Sequence, residues 1–158
     1  MLRAALFALA LAGMGIAPAQ AADLKAIQTV EVATVNVDAS GEESLTFTPA
    51  TDVEPGEQLR YSLAFTNDGD APADGVSLVM PVPAEVTLLE GSIAGLPSRV
   101  SYSADHGETF SAREATLVSD GETRRVATAA EITHIQWAFT EPFEPGASGT
   151  ISFMAVLK

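Results

Sequence analysis

The sequence predicts an all-β sandwich, and three observations carry that prediction. Apolar and polar residues alternate in steps of two along most of the chain, the period of a strand with one buried face. Pro-Gly pairs and Asn/Asp/Gly clusters interrupt the alternation at short intervals, as turns between antiparallel strands do. From residue 22 onward no window sustains a 3.6-residue apolar period beyond two turns, so no helix is expected. Many short strands joined by such turns pack as two sheets over one core. The order of the strong strands suits an immunoglobulin-like Greek-key β-sandwich of about 7–9 strands.

The elements follow in chain order. Arg3, the apolar run Ala4 to Ala17 and the small-x-small site Ala19-Gln20-Ala21 form the three parts of a secretory signal. Residues 1–21 are therefore expected to be cleaved, leaving residues 22–158 as a single domain. The apolar run is short for a membrane span of roughly 20 residues, and no basic stop-transfer cluster follows it. Val30 and Val32 share a parity that Val35 and Val37 do not, a phase slip expected to mark a bulge or a strand that changes sheets. Leu59, Tyr61, Leu63 and Phe65 then alternate strictly with Arg60, Ser62, Ala64 and Thr66. Val76, Leu78 and Met80 repeat the pattern until Pro81 and Pro83 end it, because proline cannot donate to a ladder. Ile135, Trp137 and Phe139 form one late strand, and Ile151, Phe153, Ala155 and Leu157 form the last. Weaker strands are expected around Leu45–Thr48, Val86–Leu89, Arg99–Ser103, Ala115–Val118 and Arg124–Thr128. Pro55-Gly56 and Pro145-Gly146 each precede a strong strand, and Asn67-Asp68-Gly69-Asp70 follows one, where Asn and Gly tolerate positive φ.

Composition narrows the function. Of 158 residues, 47% are hydrophobic and 18% charged, enough apolar material for a core and too little charge for a disordered chain. The formal net charge is −13, and loss of Arg3 with the signal makes it one unit more negative. That field opposes unaided binding to nucleic acid or anionic lipid, which carry the same sign. With no cysteine there can be no disulfide, thiolate metal site, iron–sulfur cluster or cysteine nucleophile.

At Val53-Glu54-Pro55-Gly56-Glu57-Gln58-Leu59-Arg60-Tyr61 the chain resembles the conserved repeat domain of bacterial surface and secreted proteins, a family named for its unknown function. The signature of that family is a Pro-Gly turn, a Leu-x-Tyr strand, Asn-x-Gly, an A-x-x-V strand and a Pro-rich end. Here these stand as Pro55-Gly56, Leu59-x-Tyr61, Asn67-Asp68-Gly69, Ala73 to Val76 and Pro81-Val82-Pro83. The resemblance covers about residues 28–92. It implies an immunoglobulin-like sandwich used as a spacer or interaction module on exported proteins, and it carries over no catalytic residues.

Three groups of residues are candidates for chemistry. Ser103-Ala104-Asp105-His106-Gly107-Glu108-Thr109-Phe110 fits the S-x-D-x-G-x-T-[F/W] pattern of an Asp box, the hairpin motif repeated in sialidases and other propellers. One copy in a chain this short reads as a structural hairpin, because a propeller needs several. A Ser103/Asp105/His106 triad is not expected, since neighbours on a turn tip rarely reach the geometry a triad needs. His106 on that tip and His134, opposite in parity to Ile135 and Trp137, are both expected to be solvated. Asp68, Asp70 and Asp74 flank a turn and are weak candidates for Ca²⁺, but their spacing misses the loop pattern that supplies six to eight oxygens. Trp137, in phase with Ile135 and Phe139, is expected in the core rather than as a sugar-stacking platform.

The expectation is an exported, non-enzymatic module, periplasmic or secreted, without catalytic residues, metal or cofactor. It is expected to be monomeric, free of nucleic acid and of a membrane span after cleavage, and to meet a protein or glycan partner. The alternatives are a small periplasmic metal- or glycan-binding protein and a hydrolase whose site is not recognisable.

Overall fold

The computed structural model describes residues 24–158, so the expected signal segment lies outside the described residues. The chain is an all-β sandwich of antiparallel strands. In order these are β1 Leu24–Val37, β2 Glu43–Pro49, β3 Gln58–Asn67, β4 Ser77–Pro81, β5 Val86–Leu88, β6 Arg99–Ser103, β7 Leu117–Asp120, β8 Thr123–Val126, β9 His134–Ala138 and β10 Ser148–Leu157. One sheet runs β2-β1-β3-β10-β5 and the other β4-β9-β6, while β7 and β8 form a separate two-stranded arm. Short 3₁₀ turns, Arg113–Ala115 and Ala129–Glu131, flank that arm.

The alternating residues meet where the period places them. Leu59, Tyr61 and Phe65 of β3 and Ile151, Phe153 and Ala155 of β10 join Met80, Ile135 and Trp137 from the opposing sheet in one buried cluster. Tyr61 and Phe153 lie opposite each other in register and stack, with ring centroids 5.0 Å apart. Phe65, Phe139 and Phe143 form an aromatic triangle at the other end of the core, with Phe143 edge-to-face against both partners and Phe65 tilted against Phe139. The Phe65 ring lies over Gly149, its register partner on β10. A Cβ there would sit 2.7 Å from Phe65 Cζ, so only glycine lets the ring down onto the strand.

Both Pro-Gly pairs form turns with the hydrogen bond and the positive φ that place glycine third. Glu57 N donates to Glu54 O across Pro55-Gly56, and Ala147 N donates to Glu144 O across Pro145-Gly146. The glycines have φ of 95° and 80°.

Four sequence expectations are corrected. The phase slip in β1 is neither a bulge nor a change of sheet, because its registers with β2 and β3 are unbroken. Beyond Ala33 the strand outruns β3 and pairs with β2 alone, so both faces from Thr34 onward meet solvent and burial no longer fixes a parity. The Asn67-Asp68-Gly69-Asp70 turn uses no positive φ and is held by the Asn67 side chain instead. The strand expected at Ala115–Val118 begins as a 3₁₀ turn and becomes β7 only from Leu117. That expected at Arg124–Thr128 is β8, which ends at Val126 because Ala127 turns inward and Thr128 caps the next 3₁₀ turn.

Candidate functional site

The Asp box closes as a hairpin tip with its polar groups satisfied. His106, at φ 62°, and Gly107, at φ 87°, occupy the two left-handed positions of the turn. The Asp105 carboxylate accepts from Ser103 Oγ at 2.6 Å, Thr109 N at 3.0 Å and Thr109 Oγ1 at 2.5 Å. The Ser103 hydroxyl and these Thr109 donors hold its carboxyl well below the usual carboxylate range. Ser103 is fully buried, and its Oγ also accepts from Gly107 N at 2.9 Å. The serine and the aspartate thus tie the turn together, with no imidazole between them.

The histidines are not both solvated. His106 is exposed, but His134 is half-buried, and a Cβ on Gly107 would lie 3.5 Å from its ring. The Asp-box turn folds back over the start of β9 because Thr133 Oγ1 receives His106 N–H at 3.0 Å and lies within 3.2 Å of Ser103 O. Burial, and the neighbouring His106, push the His134 pKa down. The two imidazoles flank a cleft of about 260 Å³ that is also lined by Pro83, Glu131, Thr133 and Lys158. The Glu131 carboxylate is committed within this wall. It takes both Arg125 guanidinium nitrogens at 2.8 Å and the Thr128 N–H at 2.8 Å, which lowers its pKa to about 2.

The aspartates do not converge on a site. Asp68 is ion-paired with Lys25, and among the described residues no group of three metal-capable side chains is placed to hold an ion. The polar centre of that turn is the residue before them. Asn67, fully buried, donates through Nδ2 to Ala71 O at 2.9 Å and to Phe143 O at 2.7 Å, and its Oδ1 accepts from Gly69 N at 3.1 Å. Trp137 is buried among core residues, as its parity predicts.

The feature that the sequence reading missed is a projecting finger. From Thr34–Val37 and Glu43–Thr46 the β1–β2 hairpin extends past β3. Its tip is stiffened by Asp38 Oδ1, which accepts from Ser40 N, Ser40 Oγ and Glu42 N, and Gly41 supplies the left-handed position at φ 84°. On its outer face Val35 lies opposite Leu45, and Val37 stands beside them, with exposures of 52%, 45% and 62%. The stripe continues through Ala33 to Phe47, over whose ring Arg60 stacks at 3.5 Å while pairing with Glu31. The finger thus presents Val35, Val37 and Leu45 to solvent with no core beneath them. The signal available was the parity slip at Val35 and Val37.

No protein-family model, curated protein or solved structure matches the chain.

Proposed function

We propose that this chain is an exported, non-enzymatic β-sandwich module with an interaction role in a bacterial envelope or outside the cell. The observation that carries the reading is the finger, which holds Val35, Val37 and Leu45 in solvent beyond the core. The signal-like N-terminus and the resemblance to the conserved repeat domain support the destination, and the net charge of −13 disfavours anionic partners. Replacing Val35 with a photoreactive residue in living cells tests it. Adducts with envelope or extracellular components are expected, whereas the same probe at Gln136, on the outer face of the other sheet, gives none. Equal labelling at both positions would refute the role of the finger.

A second reading, a small metal- or glycan-binding protein, is favoured by the cleft between His106 and His134. Saturable Zn²⁺ or oligosaccharide binding that is lost in His106→Ala would raise it above the first.

A further inference from the structure

The edge of β2 has a directional pattern of its own. Ala50 N donates to Val30 O at 3.0 Å, and the register continues through Thr48, Thr46 and Ser44 against Val32, Thr34 and Asn36. Backbone groups of an antiparallel strand alternate in direction, so those of Glu43, Leu45 and Phe47 point off the sheet. Pro49 falls in the same outward phase, where its missing N–H costs no bond to β1. Among the described residues no strand lies beyond β2. Two other sheet edges, β5 and β6, are covered. β6 is bridged by Ser111 at Tyr102 and the 3₁₀ turn Ala129–Glu131 packs beside β5, while β4, like β2, ends on an outward-phase proline. No lysine, bulge or inward-pointing charge blunts β2.

We propose that two copies of this chain pair antiparallel through β2 about a twofold axis at Thr46, joining their five-stranded sheets into one. This names a second copy as a partner for the interaction role above and rests on that reading. The register selects the occupant. An axis at Thr46 sets Leu45 opposite Phe47 of the second copy and, by symmetry, Phe47 opposite its Leu45, so both residues gain partners for N–H and C=O. Glu43, the one charge in the strand, then faces Pro49 of the second copy rather than another acid. Leu45 and Phe47 share the outer face, so pairing also joins the apolar stripes of the two fingers. An axis at Leu45 would instead place Phe47 against Glu43. The repulsion between two acidic copies is screened beyond about 8 Å at physiological salt, and little of the charge stands on this edge.

The absence of cysteine makes the register directly testable. Thr46→Cys puts the sole thiol on the axis, in a non-hydrogen-bonded pair with Cα atoms about 4.5 Å apart, within disulfide reach. Ser44→Cys or Thr48→Cys places the two thiols four residues apart, about 13 Å. After expression of the full chain and purification, mild oxidation should link Thr46→Cys at least about tenfold faster than either control. A mixture of Ser44→Cys with Thr48→Cys should link as heterodimers. Adding Leu45→Pro removes an outward N–H and leaves the β1 ladder whole, so it should abolish the linkage and shift sedimentation to monomer while the melting temperature stays near that of the parent. Linkage of Thr46→Cys no faster than the controls, or a dimer that survives Leu45→Pro, would overturn the proposal. If pairing fails while a Val35 probe still labels other components, self-association falls and the interaction role stands.

Discussion

Asn67 is one of three buried polar residues among the described residues, and its amide can be changed to a carboxylate with almost no change in shape. In Asn67→Asp the Gly69 N–H keeps an acceptor, but Ala71 O loses its side-chain donor and Phe143 O keeps only the Ala73 N–H, at 2.9 Å. Each lost hydrogen bond costs about 0.5–1.5 kcal/mol, so the two together cost roughly 1–3 kcal/mol at neutral pH. That is a measurable share of the roughly 5–15 kcal/mol by which domains are stable. The new carboxyl is desolvated and faces carbonyl oxygens, so its folded pKa is raised above the unfolded value of about 3.9. The variant's relative stability is therefore greatest below about pH 3.9, where the neutral acid can donate one of the two bonds, and it falls as pH rises through the folded pKa. Asn67→Ala removes the same two hydrogen bonds with no proton to gain. Urea unfolding of the wild type and both variants at pH 7 and pH 3.5 separates the cases. A deficit for Asn67→Asp that does not shrink in acid, or one below about 1 kcal/mol at pH 7, would refute the donor argument.

Three further outcomes follow from the packing and the charges. Gly149→Ala should destabilise by roughly 1–3 kcal/mol in denaturant titration, because its Cβ would meet Leu96 Cδ1 at 2.5 Å and the Phe65 ring at 2.7 Å. Trp137→Ala should cost roughly 3–5 kcal/mol as a cavity. Trp137→Phe should cost under about 1.5 kcal/mol, since the buried Nε1 has no partner among the described residues and its removal offsets part of the lost volume. Glu131, with its pKa lowered to about 2 by Arg125 and Thr128, contributes stability that is present above about pH 4.5 and lost as pH falls toward 2. Glu131→Gln should therefore show a smaller fall in melting temperature across that window than the wild type, and parallel curves would contradict the assignment.

The sandwich was legible where each strand has one dry face. On β3, β9 and β10 the alternating residues are those that meet in the core, and β6 has the bounds that the pattern assigns it. Periodicity reports burial, so it falls silent where burial ends. Val35 and Val37 broke the pattern of β1 because the finger has no core under it, which read as a bulge from sequence alone. The turn after β3 was read as glycine chemistry, whereas Asn67 holds it through Phe143, a residue far along the chain that no local pattern can nominate. Long-range closure also hid the cleft, since the Asp box and His134 approach through Thr133 and not through their own spacing.

β10 follows the other described strands in sequence, yet it stands inside its sheet, between β3 and β5. A chain emerging from the ribosome therefore exposes β1 and β3 long before the strand that completes their sheet. Partners so distant in sequence close slowly, because loop entropy must be met before any contact returns it. Until Ile151, Phe153 and Ala155 arrive, the apolar sides of β3 and the opposing sheet lack the residues that seal them. The consequence is a built-in delay. The five-stranded sheet stays incomplete, and its core side open, until the segment that carries β10 is free.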